Sequence, residues 1–216
     1  MATESPKPQN PAHDRTAAAT APEIRLDERE FRMSRLQILD NTNNKEAMAA
    51  RNEWINSIGH ICTPRNSRFY SLSFRPGTSE DEMTALVEMS TLVERFRDKL
   101  VDKAGIHPCR LFFTYVLMTK PHHHAHCIGI SDKDRRTGRS ITNMPKATIN
   151  GLFEWWQDVA GNSAESVAVW GPAGLADYLA GFHNVRRPGQ RWARGDVHNP
   201  LFLKRLERRQ ERRCAK

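Results

Sequence analysis

Arg110-Leu-Phe-Phe-Thr-Tyr-Val-Leu-Met118 and Pro121-His-His-His-Ala-His-Cys-Ile-Gly-Ile130 stand almost back to back in the sequence, and together they decide the fold. The first combines aromatic, aliphatic and β-branched residues without Gly or Pro, and the second is strand-like from His124 to Ile130. Thr119-Lys-Pro-His between them is a tight connection suited to a hairpin.

Working outward, Arg68-Phe-Tyr-Ser-Leu-Ser-Phe-Arg75 alternates apolar with small polar residues and stops at Pro76-Gly77, which predicts a strand. Ser79-Glu-Asp-Glu82 reads as a capping box ahead of Leu86, Val87, Val93, Phe96 and Leu100, a helix ending near Gly105. After a polar loop from Ser131 to Asn143 comes a second helix, with Ile149, Leu152, Phe153 and Trp156 on one face and Gly161 as its stop. A strand over Ser166-Val-Ala-Val-Trp170 then runs through Gly171-Pro172 into a short helix with Leu175, Leu179 and Phe182 at helical spacing. This order predicts an α+β fold: a largely antiparallel central sheet, helices packed on one face, the other face free for a substrate.

The flanks read differently. Residues 1–23 hold almost no large apolar side chain and cannot offset the entropy of ordering, so a disordered arm is expected. Residues 24–66 form a helical lead-in, one or two amphipathic helices with Leu26, Phe31, Met33, Leu36, Ile38, Leu39, Met48, Trp54 and Ile58, split near Asp40 to Asn44. The domain itself covers 67–195, and 196–216 is a basic tail. From Lys204 to Lys216 that tail reads as a helix or flexible arm adding nonspecific affinity.

A chain of 216 residues supports one substantial core. Its net charge of +8 favours a polyanionic partner such as nucleic acid, although a membrane surface or plain solubility would also fit. No stretch approaches the roughly 20 apolar residues of a membrane span, and no apolar core follows the basic residues of the N-terminus, so a cytoplasmic protein with no membrane partner is expected. The cysteines Cys62, Cys109, Cys127 and Cys214 include no C-x-x-C pair and read as reduced thiols.

The sharpest chemical feature is the histidine run. A strand's period of two puts His122, His124 and His126 on one face, about 7 Å apart at successive positions, where neighbouring imidazoles can converge on one divalent ion. The bland alternative is a solvated polar strand end. His123 and Cys127 face the other way. The chain has three tyrosines. Tyr70 and Tyr115 lie in expected strands, where aromatic residues pack. Tyr178 lies in Gly-Leu-Ala-Asp-Tyr-Leu-Ala-Gly-Phe182, beside small residues that would let a substrate backbone approach, though its spacing from Leu175 and Phe182 also fits a packed face. Arg135, Arg136 and Arg139 follow the histidine strand, and Arg186, Arg187, Arg191 and Arg194 surround Trp192. Bidentate guanidinium contacts to phosphate and an aromatic ring for base stacking suit single-stranded DNA, with solvated loops as the alternative.

Taken in order over about Phe69 to Phe182, these parts resemble the HUH endonucleases, and within them the rolling-circle replication initiators of small plasmids and phages. Phe69-Tyr-Ser-Leu-Ser-Phe-Arg75 resembles the family's first motif, His124-Ala-His126 the histidine pair that names it, and Tyr178 falls where the family places its nucleophile. The resemblance implies a divalent ion, Mg2+ or Mn2+, on His124 and His126, and attack by Tyr178 on a single-stranded or hairpin origin DNA. A 5'-phosphotyrosine and a free 3'-hydroxyl would result. Host helicase and polymerase would be partners, since the chain has no P-loop G-x-x-x-x-G-K-[ST]. The sequence departs from the family twice. Gly181 stands where many initiators carry a lysine, a role open to Arg186, Arg187 or Lys120. Leu111 to Lys120 also lacks the acidic third ligand, which His122 would replace. Transposase and mobilisation relaxase are variants of the same chemistry; a noncatalytic DNA-binding protein and a metal-dependent hydrolase are the competing classes.

Overall fold

The computed structural model describes residues 33–40, 49, 58, 61–75, 81–119, 122–169, 191–198 and 200–215. The expected N-terminal arm and the helix carrying Tyr178 lie outside these residues, as do Arg186, Arg187, Lys120 and Gly181. The strands are β1 (Met33–Asp40), β2 (Ser67–Ser73), β3 (Leu111–Met118), β4 (His124–Ser131), β5 (Ala164–Ala168) and β6 (Arg191–His198); the helices are α1 (Glu82–Ala104), α2 (Lys146–Ala160) and α3 (Pro200–Cys214). The strands form one antiparallel sheet in the order β1-β6-β3-β4-β2-β5. The α+β class with an antiparallel sheet is therefore as expected. No helix among the described residues is long and apolar enough to cross a membrane.

β3 and β4 form the expected hairpin, with Met118 opposite His124 and Leu111 opposite Ser131. Both are buried at every position, because each face of the sheet has its own core. On one face Phe113, Tyr115, Leu117, Ala125 and Cys127 pack with Leu86, Val93 and Phe96 of α1 and Leu152 and Trp156 of α2. Trp156 is the hub of this layer. Its ring stands edge-on to Phe74 at 5.2 Å and to Phe96 at 5.5 Å, while its indole N–H donates to the Ser73 carbonyl at 3.0 Å, so the large ring is buried with its one polar atom satisfied.

Local chemistry sets the helix ends. α1 starts at Asp81, whose carboxylate accepts from the Thr84 N–H at 2.8 Å, so the cap is this Asp rather than the expected Ser79–Glu82 box. α2 stops at Gly161, whose φ of 71° is a left-handed conformation that only glycine adopts without strain. The sheet is tied to α1 through Tyr115. Its ring lies directly over the backbone of Gly195 in β6, where any side chain would collide with it, and its hydroxyl meets Ser90 Oγ at 2.8 Å.

Three expectations need correction. The lead-in is helical at the described residues 49, 58 and 61, but its first part is β1, paired with β6 along its whole length. The alternation Arg35-Leu36-Gln37-Ile38 has the period of a strand, and a partner strand supplies the hydrogen bonds that a helix would have made internally. Helices also do not keep to one face. Phe202 and Leu206 of α3, with Ile58, Ile61, Cys62 and Val169, cover Phe112, Val116, Ile128 and Ile130 on the second face. Lastly, residues 196–216 are not a separate arm: β6 runs across the boundary at 195, and α3 is anchored in that second core.

Candidate metal centre

The histidines sit at the start of β4, on the second face, at the end of the strand away from α3's anchor. Antiparallel register puts His124 between Met118 of β3 and Ser73 of β2, and His126 between Val116 and Ser71. Ser71 and Ser73 are short, so the rings are not crowded from the β2 side. Phe69, further along β2, stacks on His126 with centroids 5.4 Å apart and planes within 24°.

The three rings of the expected triad are neighbours. His122 and His124 have centroids 4.7 Å apart, and His124 and His126 5.1 Å apart at 77°. His124 Nδ1 lies 2.8 Å from the His122 carbonyl oxygen. A carbonyl only accepts, so His124 must carry its proton on Nδ1, which leaves the Nε2 lone pair available to a ligand. Burial lowers the pKa of both strand histidines. His126 is brought down to about 4, with the like charges of His124 and His122 adding to desolvation. His124 moves the same way, opposed by its bond to His122. Each is only 7% exposed. The result is two neutral imidazoles side by side at neutral pH, the protonation state that binds metals.

His122, by contrast, is exposed. Among the described residues no three His, Cys, Asp or Glu side chains already stand as a complete metal-binding group. What the strand supplies is a two-imidazole platform with a third imidazole beside it. Zinc, manganese, nickel or cobalt suit such donors, and magnesium fits when phosphate oxygens complete the shell. Cys127 is excluded as a ligand: it is fully buried in the α1 and α2 core, and burial pushes its thiol well above the usual range. His123 is half-buried and its Nδ1 has no hydrogen-bond partner.

Register also brings in a carboxylate that linear spacing hides. Ser71 is opposite His126 on one side and Glu165 of β5 on the other. Residues directly opposite share a face, so exposed Glu165 belongs to the row of His126, two strand spacings or about 10 Å away across the small Ser71. A glutamate and a histidine at that separation can reach a common ion. No sequence signal joins Glu165 to the histidines, since only sheet pairing makes them neighbours.

The tyrosines divide clearly. Tyr70 and Tyr115 are 1% and 0% exposed on the face covered by α1 and α2, and burial raises the pKa of both hydroxyls. They are packing residues, as expected. Tyr178 belongs to the stretch that joins Val169, buried in the second core, to Arg191. The next residue, Trp192, is in register with Met118, whose other partner is His124; Arg194 is related to His126 in the same way through Val116.

Arg135, Arg136 and Arg139 are all exposed, on the tight turn after β4. Asp134 organises that turn by accepting from the N–H groups of Arg136 at 2.8 Å and Thr137 at 2.9 Å, and these bonds hold its carboxyl below the usual range. The turn is at the opposite end of β4 from His124, so these arginines are not brought to the metal site. Arg191 and Trp192 lie in β6, with Arg191 opposite Asp40. The chain matches no protein-family model, no curated protein and no solved structure.

Proposed function

We propose that this protein is a divalent-metal-dependent DNA nicking and joining enzyme of the HUH type, acting on a single-stranded or hairpin origin to start rolling-circle replication. The observation that carries it is the pair of neutral, buried imidazoles of His124 and His126, with the His124 tautomer set by the His122 carbonyl. His124 and His126 would hold Mg2+ or Mn2+, with His122 or Glu165 as the third ligand. The bound ion would polarise the scissile phosphate and stabilise charge in the transition state.

Tyr178 is the nucleophile in this proposal, and it is supported by elimination, because the chain's other two tyrosines are sealed in the core. Its phenolic oxygen forms the bond to phosphorus, the bond from phosphorus to the 3'-oxygen breaks, and that oxygen leaves as a hydroxyl after taking a proton. The phosphotyrosine keeps the energy of the broken phosphodiester, so a 3'-hydroxyl can later reverse the step.

The test is incubation of the protein with end-labelled single-stranded origin DNA and Mn2+, followed by denaturing electrophoresis. A covalent adduct that is lost in Tyr178→Phe is expected. Cutting without an adduct would point instead to a metal-bound water and a hydrolase. A second reading, a noncatalytic DNA-binding protein, is favoured by Gly181 in place of the family's lysine and by the lack of Asp or Glu from Leu111 to Lys120; it predicts neither adduct nor cutting with any divalent ion.

A further inference from the structure

At the end of β4 opposite the histidines lies a cleft of about 240 Å³ between Ser131, Asp132 and Lys133, the turn at Thr63 to Asn66, and α3. Leu206 and Ile61 form its apolar floor. The turn is fixed: the Thr63 N–H donates to Asn66 Oδ1 at 2.7 Å, and the Asn66 amide donates to the Ile61 carbonyl at 3.0 Å. The rim is cationic. Arg65, Lys133 and Arg209 line the cleft, and Arg205 stands beside it. Against these four cations stands one carboxylate, Asp132, which pairs with Arg209 at 2.7 Å and Arg205 at 3.3 Å.

The helix extends this charge. At 3.6 residues per turn, exposed Lys204, Arg205, Arg208, Arg209 and Arg212 fall within an arc of about 140°, while Glu207 and Glu211 fall outside it. Phe202 and Leu206 anchor α3 on Ile128 and Ile130, so the basic flank is held by a packed core rather than carried on a loose tail. Charges this close lie within about one Debye length, roughly 10 Å at 0.1 M salt, and act together on a polyanion. A rigid helix flank beside a cleft with room for one phosphate group suits the regular backbone of a duplex better than the adaptable path of a single strand.

We infer that the cleft between α3 and the end of β4 is a second nucleic-acid site, which docks the phosphodiester backbone of double-stranded DNA flanking the segment held at the histidines. The inference rests on DNA being the substrate of the metal site. Along β4, His126 and Asp132 are six residues or about 20 Å apart, so a duplex seated on the cleft leaves a short single-stranded stretch to reach the histidines.

The test measures binding of a fluorescent duplex of about 20 base pairs, without metal, by anisotropy at several salt concentrations. Replacing Arg65, Lys133 and Arg209 together by Ala should weaken duplex binding at least tenfold and flatten the salt dependence by about two to three units of slope. Asp132→Asn should act in the opposite direction and tighten binding a few-fold, because it removes the carboxylate that lines the cleft and releases Arg205 and Arg209. Mn2+ affinity at the histidines should be unchanged in both variants, which also reports that the fold is intact. Unchanged duplex affinity in the triple variant, or an equal loss for a single-stranded oligonucleotide of the same length, overturns the inference. The two proposals fail separately: duplex binding that depends on the cleft without adduct formation sinks the nicking chemistry alone, and adduct formation with cleft-independent duplex binding sinks the cleft alone.

Discussion

His124 donates its Nδ1–H to the carbonyl of His122, two residues earlier in the chain, at 2.8 Å. This bond fixes both the tautomer and the ring plane of a residue already held by strand pairing, so the Nε2 lone pair is presented before any ion arrives. His124→Ala and His126→Ala should each lower Mn2+ affinity by about 10- to 100-fold, measured by calorimetry on the purified protein. Retention of full affinity in both variants would remove the metal site.

The third ligand can be separated by two substitutions. Glu165→Gln and His122→Ala leave the strand pair in place and change one candidate each. If Glu165 completes the shell, its variant should bind Mn2+ about tenfold more weakly while His122→Ala stays close to the parent protein. The reverse pattern assigns the position to His122.

Acid stability should carry the signature of His126. Its folded-state pKa, about 4, is below its ordinary value of 6.5, so between these values the unfolded chain binds more protons than the folded one. Stability from this group is therefore complete above about pH 6.5 and is lost as pH falls toward 4, with a ceiling of about 3 kcal/mol. Urea denaturation of the metal-free protein across this range should show the slope, and His126→Gln should flatten it. Asp134 does not confuse the result, since its lowered carboxyl titrates below the usual carboxylate range.

Gly195 and Tyr115 make a mutational pair. Gly195→Ala places a methyl group in the space of the Tyr115 ring and should destabilise the protein by about 1–3 kcal/mol or more. Tyr115→Phe keeps the ring and removes its hydroxyl from Ser90, with an expected loss of about 1 kcal/mol. A thermal-melting series that finds Gly195→Ala neutral would mean that β6 can shift away from the ring.

These contacts show which parts of the fold local sequence can express. α1 and α2 end at Gly105 and Gly161 as expected, because a left-handed glycine stops a helix through its own backbone. β3 and β4 were legible since they are apolar enough to be strands in any surroundings. β6 was not: Arg191-Trp-Ala-Arg-Gly-Asp-Val-His198 has the composition of a loop and is a strand because β1 and β3 hydrogen-bond it from both sides. The anchoring of α3 rests on Phe202 and Leu206, with Leu203 packed beside them, in a strongly charged segment, too brief a pattern to separate a packed helix from a solvated one. At the site, the histidine pair was legible from its own alternation, whereas Glu165 joins it only through two pairings with β2.

The position of β6 between β1 and β3 has a consequence for how the molecule is made. β1 is made before the other strands of the sheet, yet its partner strand is complete only when His198 has been synthesised, more than 150 residues later. Until then β1 has no edge to join, and the exposed side of β3 stays unpaired. Shortening the chain before β6 should therefore strip two strands from one margin of the sheet at once, leaving β3 as an open edge, β1 unpaired and a tendency to aggregate.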